Sequence, residues 1–230
     1  MKTLNDQYYS LRLTLEASFP APSVFAVGAA TEKDESANVA CNLARAFAAA
    51  GYKTVIVDPN GGKIFQSEYG MRVPLAPDLS LMSRCATNGT IQNLSALALT
   101  GSLMRVSTSA KKMRESIAEL RTRFDVVIVN AGVMPAAPEA LQFASAADGV
   151  ILTFRFGRKS QREDRELTTT LERIGAQLIG IIGIAAADDR RPEPAYRAPV
   201  EEVAEQSAPP RVIAGQLSPL TRVHTTKEAV

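Results

Sequence analysis

Five short, almost unbroken apolar runs constrain this fold more than any other feature of the chain. They are "SVFAVG" from Ser23, "KTVIVD" from Lys53, "FDVVIVN" from Phe124, "GVILTFR" from Gly149 and "QLIGIIGIA" from Gln177. Each is short, and apolar at consecutive rather than alternate positions. Runs of this kind read as strands buried on both faces, the pattern of a parallel sheet. Between them, Ser36–Ala50 (closed by Gly51), Lys111–Arg123, 137–147 and Gln161–Ile174 read as helices. Residues 4–17 read as a further amphipathic helix with Tyr8, Leu11 and Leu15 on one side. Parallel strands need right-handed crossovers, so helices must cover both faces. The fold class expected is α/β, a doubly wound and mainly parallel sheet in a three-layer sandwich.

The length of 230 residues suits one such domain with flanking segments. Residues 1–22 are expected to form the N-terminal helix and a linker ending in "FPAP". Residues 23–187 form the domain, and 188–230 a flexible tail rich in proline and charge. Within the domain, 59–109 reads as irregular, with short apolar pieces among Pro, Gly, Ser and Asn. In the tail, "RVIAGQL" reads equally as a docking segment or as featureless chain. A net charge of +2 gives no field that would draw nucleic acid or an anionic membrane. The basic residues Lys111, Lys112, Arg114, Arg121 and Arg123 alternate with Glu115 and Glu119, as on a solvated helix face. The single histidine, His224, lies in the polar tail, which argues against a Ser/His/Asp site or a zinc cluster. Cys41 and Cys85 have no metal or redox spacing, and Cys41 falls on an apolar helix face. The first twenty residues hold no apolar core of signal-peptide length, and no run approaches eighteen apolar residues. A soluble cytoplasmic protein is expected.

The stretch "GAATEKDESANVACNLARAFAAAG", Gly28 to Gly51, has the setting of a phosphate-binding loop, with a strand before it and a helix after. Such loops read G-x-x-x-x-G-K-S/T. The order of the pieces resembles the bacterial tyrosine-kinase (BY-kinase) branch of the MinD/ParA-type P-loop ATPases. The matching stretches, spread over residues 6 to 184, are "YYSLRLTL", "SVFAVGAA", "VACNLARAFAAAGYKTVIVDPN", "RTRFDVVIVNAG", "ADGVILTFRFG" and "LERIGAQLIGIIGI". The resemblance implies a P-loop NTPase-like sandwich and a place in capsule or exopolysaccharide export. It also implies an inner-membrane partner, the chain-length determinant or co-polymerase protein, and ring assembly through an arginine-bearing first helix.

Aligned on "NLA" (Asn42 to Ala44), the loop pattern asks for glycine at 30 and 35, lysine at 36 and Ser/Thr at 37. The chain has Ala30, Glu35, Ser36 and Ala37. Ser36 cannot bring a positive charge to the β/γ-phosphates, and Ala37 has no oxygen for Mg²⁺. Glu32, Asp34 and Glu35 bring carboxylates toward the phosphate position, and Lys33 offsets only part of that. Asp58 matches a family aspartate in "VIVDPN", while Asn60 replaces a second one. Asn130 stands at the Walker B aspartate, and Ile184 where relatives often place an asparagine against the base. Asp125 reads as structural. Tyrosines cluster in the tails of autophosphorylating relatives; here the tail has only Tyr196. Tyr9 stands where the first ring-contact arginine would be, and Arg12 matches the second.

These substitutions lead to the expectation of a catalytically silent, non-enzymatic relative that docks in polysaccharide synthesis or export. Lys33, Glu35, Ser36, Ala37, Asp58, Asn60 and Asn130 would then be vestigial. No cofactor, metal or catalytic residue is expected. Partner contacts are expected from Tyr8, Leu11, Arg12 and Leu15, with room for a homo-oligomer. No nucleic-acid partner and no direct membrane insertion are expected, and the protein would lie at the inner membrane through its protein partner. One alternative is an active tyrosine autokinase or ATPase with an unorthodox site, taking Mg·ATP with Lys33 bent toward a phosphate and Asp58 anchoring Mg²⁺. Another is a positioning or partitioning adaptor without an ATPase cycle.

Overall fold

Strand β1 (Ser23–Ala29) is buried at every position, and the rest of the sheet is built outward from it. The computed structural model describes residues 6–70, 72–76, 86–88, 91–99, 109–156, 162–184 and 212–213. In chain order the elements are α1 (Asp6–Ser18), β1, α2 (Ser36–Ala49), β2 (Thr54–Asp58), α3 (Lys63–Tyr69), β3 (Leu75–Ala76), β4 (Thr87–Asn88) and β5 (Leu94–Leu99). There follow α4 (Ala110–Arg121), β6 (Val126–Val133), α5 (Pro138–Ala146), β7 (Gly149–Arg155), α6 (Arg162–Arg173), β8 (Leu178–Ile184) and β9 (Val212–Ile213). The sheet order is β3-β5-β2-β6-β1-β7-β8-β9, and β4 adds to β5. All pairings are parallel except those of the two-residue strands β4 and β9.

Side chains alternate across the sheet as strand geometry demands. Val24, Ala26, Val55, Val57, Val127 and Val129 face one core, closed by Met113, Ile117 and Leu120 of α4, Phe143 of α5 and Leu171 of α6. Phe25, Val27, Ile56 and Ile128 face the other, closed by Tyr8 and Leu15 of α1, Phe47 of α2 and Phe65 of α3. The expected three-layer, doubly wound α/β sandwich is therefore the fold.

Two acids tie the amino ends of the strands together. Asp125 Oδ2 accepts from Lys53 N at 2.8 Å, joining the starts of β2 and β6, which is the structural role expected of it. Asp148 Oδ2 accepts from Val24 N at 2.8 Å, and its Oδ1 accepts from Arg121 at 2.8 Å.

Three parts differ from the sequence reading. The stretch 59–109 contains α3 and the inner strand β5, which pairs with β2 along its length. The run "LSALAL" is interrupted by serine and alanine, so its apolar contrast is low and its strand character comes from burial between neighbours. In the tail, Val212 and Ile213 pair with Ile184 and Gly183, so the chain returns to the edge of β8. On α1, the expected docking set needs correction. Tyr8 and Leu15 are buried against the second core, Leu11 packs on it, and Arg12 is paired with Glu16. The stripe that marks this helix is the face it buries in its own domain. Its exposed apolar groups are Tyr9 and Leu13, the latter 56% exposed. Among the described residues, no helix is long and apolar enough to cross a membrane.

Candidate functional site at the carboxyl edge of the sheet

Helices α2 and α5 leave β1 and β6, which are adjacent, toward opposite faces. A crevice opens beyond the carboxyl ends of strands where the winding divides in this way, and ligands of doubly wound sheets bind there. The loop after β1 lies at this edge of the sheet. Thr31 starts a short 3₁₀ turn over Glu32–Asp34, Glu35 follows at φ 51° in the left-handed region, and α2 begins at Ser36. Position 35 is one of the two where the phosphate-loop pattern asks for glycine, so the glutamate keeps a glycine-type turn. A non-glycine residue held there costs on the order of 1 kcal/mol. A right-handed turn followed by a left-handed residue directs successive N–H groups to one side, the arrangement of an anion nest.

Two of the three loop acids, Asp34 and Glu35, are engaged within the fold, while Glu32 is exposed. Asp34 is fully buried; its Oδ2 accepts from Thr31 N at 3.1 Å and from Thr31 Oγ1 at 2.8 Å. Its Oδ1 accepts from the backbone N of Arg155, at the end of β7, at 2.9 Å. The Arg155 guanidinium in turn pairs with the Glu35 carboxylate. The expectation of like-charge repulsion from Asp34 and Glu35 is corrected by these contacts. Ser36 is buried and Ala37 half-buried at the start of α2. The side chain of Lys33 lies outside the described residues.

Asp58, at the end of β2, and Asn130, within β6 just before its bulge, come together on the other side of β1. Asp58 Oδ1 accepts from Asn60 N at 3.0 Å and lies 3.4 Å from Asn130 Nδ2. Beyond Asn130 the register slips by one residue, so that Val27 pairs with Asn130 but Gly28 with Gly132. This bulge turns on Gly132 at φ 63°, where an added Cβ would also come within 3.2 Å of Asn60 Nδ2. Bulges re-aim side chains beside functional sites. Both Asp58 and Asn130 are almost wholly buried, yet Asp58 Oδ2 and Asn130 Oδ1 have no hydrogen-bond partner. Burial raises the Asp58 pKa above the ordinary carboxylate value, and hydrogen bonds from Asn60, Asn130 and the backbone of Gly62 and Ile64 oppose that only in part. Two orphaned acceptors in one place call for a donor or a cation.

Other sequence candidates are placed elsewhere. Ile184 is buried and packs in the second core. Cys41 is buried, as expected of a packing residue, and burial pushes its thiol up to about 12. Tyr196, Cys85 and His224 lie outside the described residues. Among the described residues no group of three or more His, Cys, Asp or Glu could hold a metal ion. One site residue, Arg155, escapes the sequence reading, and another buried acid stands elsewhere. Arg155 is legible in the sequence only as a cation ending a strand that proves to neighbour β1. Glu139, in the first turn of α5, is buried with Oε2 unpartnered.

A central β1, a turn into α2 and helices on both faces of a parallel sheet define the class, a P-loop NTPase-like three-layer α/β protein. Within that class the chain is similar to tyrosine kinases. It is 24% identical over 194 residues to the tyrosine-protein kinase CpsD of Streptococcus pneumoniae, covering 79% of this chain and 84% of the relative. Among solved structures, the kinase domain of the Escherichia coli tyrosine kinase ETK matches with a TM-score of 0.65 and 18% identity, over 85% of this chain and 80% of that one. The VpsO kinase domain matches with a TM-score of 0.59 and 18% identity, over 76% and 92%. No family model matches the chain. The resemblance to the bacterial tyrosine kinases thus holds in sequence as well as in fold. It also corrects the expectation of a non-enzyme, because the relatives are kinases and the likeness points to an enzyme family. Part of the physical ground for that expectation is weakened too, since Glu35 is paired with Arg155 and Asp34 is hydrogen-bonded within the loop.

Proposed function

We propose that the chain is a tyrosine-kinase-type protein of bacterial capsule or exopolysaccharide assembly that acts on Mg·ATP through an unorthodox site at the carboxyl edge of the sheet. The observation that carries this reading is the pair of buried, unpartnered oxygens, Asp58 Oδ2 and Asn130 Oδ1, beside the loop that leads into α2. Such oxygens suit the water shell of a magnesium ion, which keeps several waters and takes few protein ligands. Asp58 and Asn130 would hold that shell, and the positive end of α2 with the turn at Glu35 would face the phosphates. Bound there, Mg·ATP supplies the phosphoryl group. The chain's own residues orient it and, through the buried β1 and β6 edge, limit access of water.

The resemblance supplies the biological setting. The partner would be the chain-length determinant protein of the inner membrane, which would hold the chain at the cytoplasmic face. The exposed Tyr9 and Leu13 on α1 are the apolar groups of that helix still free for such a contact, or for a second copy of the chain.

Purified full-length protein incubated with Mg·ATP should gain phosphotyrosine, read by mass spectrometry, and Asp58→Asn should lose most of it. Protein that neither gains phosphotyrosine nor consumes ATP would overturn the proposal.

A further inference from the structure

The loop position that carries lysine in phosphate-binding loops is Ser36, and the cation facing this turn comes from β7 instead. We propose that Arg155 is the phosphate-binding cation of the site, with Glu35 as a tethered stand-in for the phosphate, displaced when a nucleoside polyphosphate binds. This rests on the reading above that the carboxyl edge takes a nucleotide.

The placement of Arg155 is fixed twice. Strand β7 pairs with β1 in parallel, so the end of β7 lies beside the start of the loop. The buried Asp34 then holds the backbone N of Arg155, which brings the guanidinium to Glu35 at the first turn of α2. Its side chain is 34% exposed, so an anion from solvent can reach it. Arginine stays charged at any accessible pH and can grip phosphate with two parallel hydrogen bonds. A polyphosphate carries more charge than a carboxylate and would also face the positive end of a helix of 14 residues. Glu35 is the weaker partner, and it occupies a strained backbone position to make the contact. Across β1, the unpartnered Asp58 Oδ2 and Asn130 Oδ1 independently mark this edge as one awaiting a ligand.

The test is calorimetric titration of the full chain with the magnesium complex of a non-hydrolysable ATP analogue. Arg155→Ala should weaken binding by about tenfold or more, as expected for a lost charge-assisted contact, and Arg155→Lys should restore part of it. Glu35→Gln should tighten binding severalfold, because the competing carboxylate is gone. Glu35→Gln leaves Arg155 in place, so it decides the matter even if Arg155→Ala does not fold. If wild type binds and Glu35→Gln binds no tighter, or Arg155→Ala folds and binds equally well, Arg155 is not the phosphate cation and the nucleotide reading stands. If neither wild type nor Glu35→Gln binds the analogue, both readings fall.

Discussion

Asp148 at the amino end of this sheet and Asp58 at its carboxyl end are bonded in opposite ways. At the amino end, each oxygen of Asp148 is engaged, one by Val24 N and the other by Arg121, and Asp125 holds Lys53 N. At the carboxyl end, Asp58 is buried with one oxygen unpartnered, next to an amide oxygen in the same condition. Both ends belong to one rigid sheet, so the contrast is not a matter of packing quality. Acids that hold a fold together find their donors within it, whereas acids that serve a ligand leave part of their bonding capacity open.

Substitution at each end should sharpen this contrast. Asp148→Ala removes a half-buried ion pair and a bond to β1, leaving Val24 N and Arg121 without that acceptor. A loss of about 2 kcal/mol is expected, which for a chain of this size lowers the melting temperature by roughly 4–8 °C. Nucleotide affinity should not change. A melting temperature equal to wild type would erase the distinction drawn here.

Asp58→Asn should act in the opposite direction and more weakly. Burial raises the carboxyl pKa of Asp58 in the native state. Protonation therefore favours folding, and that contribution is present at low pH and lost as pH rises through the raised value. At neutral pH the protein carries a desolvated charge that the amide would remove. The variant should be more stable than wild type at neutral pH, with the gain shrinking to nothing below the ordinary carboxylate range. Melting curves across pH test this; a variant less stable than wild type at neutral pH would show that Asp58 is a structural acid like Asp148.

Much of the fold is legible in the order of residues alone. Runs such as "VFAV", "VIV" and "VVIV" are buried on both faces and announce themselves by unbroken apolarity. The meeting of Asp58 and Asn130 follows from their places at the ends of two such apolar runs. Strand β5 is hidden because serine and alanine carry little signal until neighbouring strands bury them. The direction of Glu35 is hidden for a different reason: its partner, Arg155, lies 120 residues away and is brought near by sheet order alone. Taken as a string of acids, the loop makes a repulsive site; folded, Glu35 is paired with Arg155 and Asp34 is bonded within the loop. On α1, periodicity identifies the apolar face correctly but cannot say that the chain's own core claims it.

The most direct test of the account is a calorimetric titration of the full chain with ATP, with and without magnesium. The carboxyl edge described here predicts saturable, one-to-one binding that needs magnesium and weakens at least tenfold in Asp58→Asn. No heat of binding, or binding indifferent to both magnesium and Asp58, would contradict it.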